Sequence, residues 1–289
     1  MDEPRVTTVI ATRDRAPELS RTLPRQQAPV IVVDNASTDE TPQVARAAGA
    51  RVIELPYNAG AAARNVGAMA AATPYVAFAD DDSWWEPGAL GRAAAILDAH
   101  PRTAVLAARV LVGDTGRLDP VSADMARAPL GSPGDLPGPA ILGFLACSVV
   151  VRRQAFLDVG GFSEELHFGG EEELLALDLA AASWGLAYVP ELVIRHHPSD
   201  LAREPVGRRR REVRNQLLTA WLRRPLPVLG RAALASLATA DGRAGVVDAV
   251  RRLPALARAR RRLPDDVEAA VRTLAGPGRF TGAEGVGEQ

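Results

Sequence analysis

The chain contains no lysine: all 34 basic residues among its 289 are arginine. With so much alanine alongside, this reads as a GC-rich coding bias, so an individual arginine counts for little as a functional signal. Cysteine is nearly absent too. The single Cys147 excludes an intrachain disulfide framework and any cysteine-based zinc site, and a reducing cytoplasm is the expected compartment. No apolar run is long enough to span a bilayer. The start, Met1-Asp2-Glu3-Pro4-Arg5, leads straight into a strand pattern and shows no signal-peptide pattern. Net charge is small: a formal −1 argues against a nucleic-acid partner held by bulk attraction. What is abundant is apolar surface. With 47% hydrophobic residues the chain can bury the core of one large α/β domain plus an appendage, or of two small domains.

Along the first 80 residues, strand and helix patterns alternate. Short β-branched or apolar runs at 6–12, 30–33, 51–55 and 75–79 predict buried strands. Helices are expected over 16–26, 41–48 and 60–72, the second preceded by the turn and N-cap residues Asp34-Asn35-Ala36-Ser37-Thr38-Asp39. This spacing is that of βαβ units, so a parallel sheet with helices on both faces is expected. Ligands of such sheets sit at the carboxyl ends of the strands, where Thr12, Asp34 and Asp80 fall. Further on, helices are expected over 88–100, 153–159 and 171–184, the last with Leu174, Leu177, Ala181 and Trp184 on one face. Strands are expected over 104–112, 145–151 and 187–195. The stretch 131–143 is a loop dense in glycine and proline. After Pro205 the composition shifts to arginine, alanine and leucine at helical spacing, and the tail from Gly276 is glycine-rich and expected to fray.

Asp80-Asp81-Asp82 directly follows a buried strand. On extended chain Asp80 and Asp82 leave the same side, and two carboxylates held together repel unless a cation sits between them. Hard oxygen ligands suit Mg²⁺ or Mn²⁺, which binds one or two carboxylates plus substrate phosphates. Asp81 points the other way and is the weaker candidate. The plain alternative is a solvated loop that caps a following helix.

An ordered set of motifs then resembles the inverting family 2 glycosyltransferases of GT-A fold, from about residue 6 to 198. The set is Thr12-Arg13-Asp14-Arg15, Val32-Val33-Asp34-Asn35-Ala36-Ser37-Thr38-Asp39, Asn58-Ala59-Gly60 with Arg64-Asn65, Phe78-Ala79-Asp80-Asp81-Asp82, Val159-Gly160-Gly161-Phe162 and Gly170-Glu171-Glu172. Each is weak alone, but chance matches need not fall in order at strand ends. The resemblance implies a mixed, mostly parallel α/β sheet with helices on both faces. It implies a GT-A domain over 1–205, with a nucleotide-binding half about 1–112 and an acceptor half about 113–205, and a helical extension over 206–289. It implies a nucleoside-diphosphate sugar donor bound by Thr12, Arg13, Asp34, Asn58, Arg64, Asp80 and Asp81, with Asp34 accepting from the base and Asp80 meeting the ribose. Asp82 would bind Mn²⁺ or Mg²⁺ together with Asp80, and His196 would be a third ligand.

Inversion needs a base for the acceptor hydroxyl. By the same resemblance it is Glu172, with Glu171 beside it as the alternative; acids in a first helical turn also simply favour the helix dipole. The acceptor is a glycan, a lipid-linked sugar or a small molecule. The basic segment 207–224, carrying Leu217, Leu218, Trp221 and Leu222, is either a membrane-surface helix at the inner face of a membrane or a helix packed on the domain with a solvated arginine face. Two rivals stand beside glycosyl transfer. A nucleotidyltransferase lacks support, since no glycine-rich loop with a cation follows the first strand. A non-catalytic nucleotide-sugar binding protein sits poorly with the intact Asp80, Asp82 and Glu172.

Overall fold

The computed structural model describes residues 4–198 and 207–275. The expected boundary near residue 205 and the tail from Gly276 lie outside the described residues. The first half is the expected alternation: β1 (Val6–Thr12), α1 (Ala16–Thr22), β2 (Val30–Asp34), α2 (Thr41–Ala47), β3 (Arg51–Glu54), α3 (Ala63–Ala70) and β4 (Tyr75–Ala79). Then come β5 (Ser83–Trp85), α4 (Ala89–Ala99), β6 (Thr103–Val112), β7 (Arg117–Leu118), α5 (Pro120–Ala126), β8 (Val149–Arg152), α6 (Arg153–Asp158), α7 (Glu171–Ala181) and β9 (Gly185–His196). The C-terminal part is helical: α8 (Arg208–Arg223), α9 (Leu226–Ser236), α10 (Ala240–Leu256) and α11 (Asp265–Ala275).

The strands form one mixed sheet in the order β3-β2-β1-β4-β8-β6-β9-β5, with β7 paired to β6. The longer pairings, β1 with β2 and β4 and β6 with β9, are parallel. Successive residues of β1 enter opposite cores. Val9 packs with Val33, Val76 and Phe78, against α3, α6 and α7. Ile10 packs with Val32, Ala77 and Ala79, against α1, α2 and α4. A strand buried on both faces reads as a continuous apolar run, which is why β1, β2 and β4 stand out in the sequence.

Register sets the site. Thr12 lies opposite Asp34, and Ile10 opposite Ala79, so the ends of β1, β2 and β4 open at one edge. One strand not expected from the sequence and one expected strand of irregular register complete that edge. The three-residue β5 pairs Ser83 with His196, which carries the end of the acidic turn to the end of β9. The segment expected as strand pieces over 187–195 is one strand whose register against β6 jumps between Ala108 and Arg109, opposite Val189 and Val193. Pro190 falls inside that bulge, where no ladder donor is needed.

α7 departs from the one-faced helix expected. Leu175 and Leu179 enter the sheet core, Leu174 packs with α8, and Leu177 packs with Leu263 and Val267 beside α11. A helix apolar on all sides is an interior helix. The C-terminal helices cover two of those sides; α7 stops at Ala181, with Ser183 at φ +63° and Trp184 beyond it.

Candidate active site

The loops that follow β1, β2 and β3 are tied to one another. The buried Asp34 carboxylate accepts from the Ser37 N–H at 3.0 Å and from the Ser37 hydroxyl. Ser37 Oγ in turn accepts from the Asp14 N–H at 2.9 Å, and Asp14 accepts from the Thr38 N–H at 2.7 Å. Arg13 is exposed and pairs with Asp14 at 3.3 Å. Asn35 donates to the Gly60 carbonyl at 3.1 Å and accepts from the Ala59 N–H at 3.0 Å, while Asn58 accepts from the Gly60 N–H at 2.9 Å. Gly60 is at φ +63°, and a Cβ there would lie 2.1 Å from His167 Nδ1. Only glycine permits that approach.

The acidic triplet is a turn rather than extended chain. The Ser83 N–H donates to the Asp80 carbonyl at 3.1 Å, and Ser83 Oγ accepts from the Asp80 N–H at 2.8 Å. The turn sends the three carboxylates to three partners. Asp80 pairs with the Arg64 guanidinium. Asp81 turns inward and accepts from Thr12 Oγ1 at 2.8 Å, while its carbonyl accepts from Thr22 Oγ1 at 2.7 Å. Asp82, buried, lies 3.3 Å from His196 Nε2. The expected trio of Asp80, Asp82 and His196 is therefore a pair, Asp82 and His196, because the turn directs Asp80 to Arg64. Among the described residues no group of three or more His, Cys, Asp or Glu side chains is placed to hold a metal. The pair still fits Mn²⁺ or Mg²⁺: one hard carboxylate and one imidazole leave positions for diphosphate oxygens and water.

Arg64 is the electrostatic centre. Burial disfavours its charge, but Asp80, then Glu171 and Glu172, outweigh this and raise it above its ordinary value. The guanidinium lies 5.9 Å from the Phe162 ring centroid. Phe162 is fixed by Asn65, which donates to its carbonyl at 2.8 Å and accepts from its N–H at 2.9 Å. Gly161, at φ +66°, leaves room for that clamp: a Cβ would meet Asn65 Oδ1 at 2.4 Å.

Glu171 is only 4% exposed, and its Oε2 has no hydrogen-bond partner among the described residues. Burial first, then the charge of Glu172, pushes its carboxyl up to about 8. Glu172 is half-buried. Burial raises its carboxyl too, while the Ala146 N–H favours its charged form. Glu171 gives a stability signature. Between its ordinary 4.5 and about 8, the folded chain keeps a proton that the unfolded chain has released. Stability therefore falls as pH rises through that window. Glu171→Gln is expected to melt above the wild type at pH 8, with the gap closing towards pH 5. A pH-independent gap in thermal melts would remove this role.

On the other side of α7, a cavity of about 720 Å³ is lined by Met125, Ile141, Leu142, Leu177, Val271 and the acid Glu173. Loop 141–146 joins it to the acids, lining the cavity at Ile141 and meeting Glu172 at Ala146.

A half-sheet of βαβ units with an acidic turn at its carboxyl edge, continued by antiparallel strands and an acid-led helix, defines the GT-A fold. The chain belongs to glycosyl transferase family 2, whose sequence profile matches residues 7–160. It is 30% identical over 218 residues to the pre-mycofactocin glycosyltransferase of Mycobacterium tuberculosis, covering 71% of this chain and 45% of that protein. It thus spans under half of that relative's length. It is 30% identical over 217 residues to the N-acetylglucosaminyl-diphospho-decaprenol L-rhamnosyltransferase of the same organism, covering 62% of this chain and 69% of that one. Among solved structures, the Pyrobaculum calidifontis mannosyltransferase PcManGT with GDP-Man and Mn²⁺ superposes with a TM-score of 0.57 at 21% identity, covering 94% of this chain and 80% of that one. Staphylococcus aureus TarS residues 1–349 with UDP-GlcNAc gives 0.56 at 18% identity, covering 86% and 73%.

Three residues outside the expected set hold the site together: Asn35, Asn65 and Asn215 of α8. Asn35 and Asn65 lie within the family motifs, but nothing in their spacing marks them as clamps. Asn215 lies in the arginine-rich segment and carries no signal in the sequence.

Proposed function

We propose that the chain is an inverting glycosyltransferase. It takes a sugar from a nucleoside-diphosphate sugar and passes it to an acceptor hydroxyl, with Glu172 as general base. The observation that carries this is the convergence of Asp80, Glu171 and Glu172 on the buried Arg64, beside the Asp82–His196 pair. In a single displacement the acceptor oxygen attacks the anomeric carbon as the bond to the diphosphate breaks, and the electron pair leaves with the nucleoside diphosphate. Asp34, with Arg13 and Asn58 on the neighbouring loops, receives the nucleoside. Thr12 and Asp81 brace the floor of that pocket through their mutual hydrogen bond. Arg64 aligns Asp80 for the ribose and offers a cation to the phosphates. Asp82 and His196 would hold Mn²⁺ or Mg²⁺, which supplies charge neutralisation to the leaving diphosphate.

Glu172 takes the acceptor proton. Burial raises its carboxyl while the Ala146 N–H favours its charged form, and Glu171, pushed up to about 8, keeps its own proton at neutral pH. The cavity beyond Glu173 supports an acceptor that arrives from the α5–α7 side. A nucleotidyltransferase is disfavoured, since the loop after β1 offers only Arg13 and Arg15, which pair with Asp14 and with Glu18 and Asp81.

Asp82→Ala is expected to remove the Mn²⁺-dependent part of nucleoside-diphosphate affinity, about tenfold or more, equivalent to about 1.4 kcal/mol. Calorimetric titration with and without Mn²⁺ reads this directly. An unchanged metal-dependent gain would take Asp82 out of the metal site.

A further inference from the structure

Nine large apolar side chains are exposed among the described residues, and five of them cluster at the C-terminal helices: Leu226, Leu234, Leu237, Val247 and Val250. Their spacing makes stripes. Leu226, Gly230, Leu234 and Leu237 follow one face along α9 and its end, all exposed, with Leu234 at 72%. Arg243, Val247, Val250 and Pro254 follow one exposed face of α10. These are not the inner sides of the helices. Ala232 of α9 and Ala249 and Leu256 of α10 already fill the core with Leu217 and Leu218 of α8. The two helices are joined at the turn, where Arg243 Nη1 donates to the Leu237 carbonyl at 3.0 Å.

Charge is segregated here as well. Residues 226–262 carry eight arginines against two aspartates, in a chain whose formal net charge is −1. One of the two, Asp248, is engaged by Arg210 at 2.5 Å. Arg231, Arg243, Arg251, Arg258, Arg261 and Arg262 are exposed. Apolar stripes bordered by guanidinium groups match the boundary between acyl chains and phosphates. Leucine and valine enter the apolar layer there, and arginine reaches back to the headgroups. A second copy of the same basic face would be repelled, whereas an anionic lipid surface is complementary.

α8 itself, the helix the sequence offers for this role, does not present such a face. Leu217, Leu218 and Leu222 are in the core, Arg223 pairs with Asp178, and Arg224 pairs with Glu268 at 2.6 Å.

We infer that the outer face of α9 and α10 is a docking surface for an anionic lipid bilayer. This surface is independent of the reaction assigned above, and its test needs no turnover. The purified full chain is mixed with vesicles of phosphatidylcholine alone, or with added phosphatidylglycerol, and floated on a density gradient. The chain should float with the anionic vesicles and stay behind with the neutral ones. Leu234→Glu with Val250→Glu should abolish flotation. Arg231→Gln with Arg251→Gln should weaken it by about tenfold or more. Arg92→Gln with Arg117→Gln, or Met69→Glu, should leave it unchanged, because these exposed residues lie on α4, β7 and α3. All five sites changed in the two test variants or the Met69 control are exposed, and unchanged melting temperatures confirm that the variants fold. No flotation with either lipid, or equal loss in the control variants, would overturn the inference. So would a dimer in light scattering that Leu234→Glu dissociates, since the face would then belong to self-association.

Discussion

Glu172→Gln is expected to lose transfer by about 10²- to 10⁴-fold, the usual contribution of general base catalysis, while binding of nucleoside diphosphate stays close to wild type. The two carboxylates at the start of α7 are neighbours in sequence but differ in surroundings. Glu171 is the more enclosed, and its carboxyl is held protonated at neutral pH by burial and by Glu172. A protonated carboxyl cannot accept the acceptor's proton, and glutamine is its near isostere. Glu171→Gln should therefore transfer at close to the wild-type rate at pH 7. Glu172 is half-buried; burial raises its carboxyl, and the Ala146 N–H acts against that shift by favouring the ionised form. The measurement is nucleoside-diphosphate release from a nucleotide sugar that the wild type turns over, paired with calorimetry of diphosphate binding. An active Glu172→Gln with a dead Glu171→Gln would reverse the assignment. Wild-type activity in both would move the base elsewhere and leave the donor pocket as the site's only reading.

The first half of the fold is legible in the sequence because its signals are local. β1, β2 and β4 are short apolar runs buried on both faces, each followed by polar turn residues, and register carries Thr12, Asp34 and Asp80 to one edge. What the sequence hides is decided across long separations. Thr12 reads as a nucleoside contact, yet its hydroxyl is engaged by Asp81, 69 residues away. The glycines before Phe162 read as a motif, but the reason for Gly161 is Asn65, 97 residues from Phe162. β5 is three residues long, too short for any periodicity, and it is the strand that brings Asp82 to His196. The extended geometry expected of Asp80 and Asp82 gives way to a turn because Ser83 closes it with both its N–H and its hydroxyl. The arginine-rich C-terminal segment is the most opaque. Composition shows that it is helical but not that α8 is an interior helix.

Asn215→Ala should cost both stability and turnover, although it lies in that C-terminal segment and about 40 residues beyond the acids. The Asn215 side chain is fully buried. Its amide nitrogen donates towards the carbonyls of Leu166, Phe168 and Gly169 at 2.8, 2.9 and 2.6 Å, and its oxygen accepts from Arg214 Nε at 2.9 Å. Those carbonyls belong to the loop that delivers Glu171 and Glu172. The loop runs through left-handed conformations at His167, Gly169 and Gly170, with φ of +63°, +90° and +88°. A non-glycine residue in that region persists only when its surroundings hold it there. It is held from two sides: the Ala61 N–H donates to the His167 carbonyl at 2.8 Å from the segment before α3, and Asn215 holds it from α8. Leu166 retains a second donor in Arg214 Nη2 at 2.9 Å, so the carbonyls most exposed to the loss are those of Phe168 and Gly169. Leaving a buried acceptor unpaired costs about 1–3 kcal/mol, so a drop of roughly that size or somewhat more is expected. A base displaced by about 1 Å can cost on the order of 10²-fold in rate. The expected pattern is a kcat reduced well beyond any change in donor affinity, in protein that still melts cooperatively. A variant that loses stability yet keeps its kcat would show that α8 braces the fold without positioning the base.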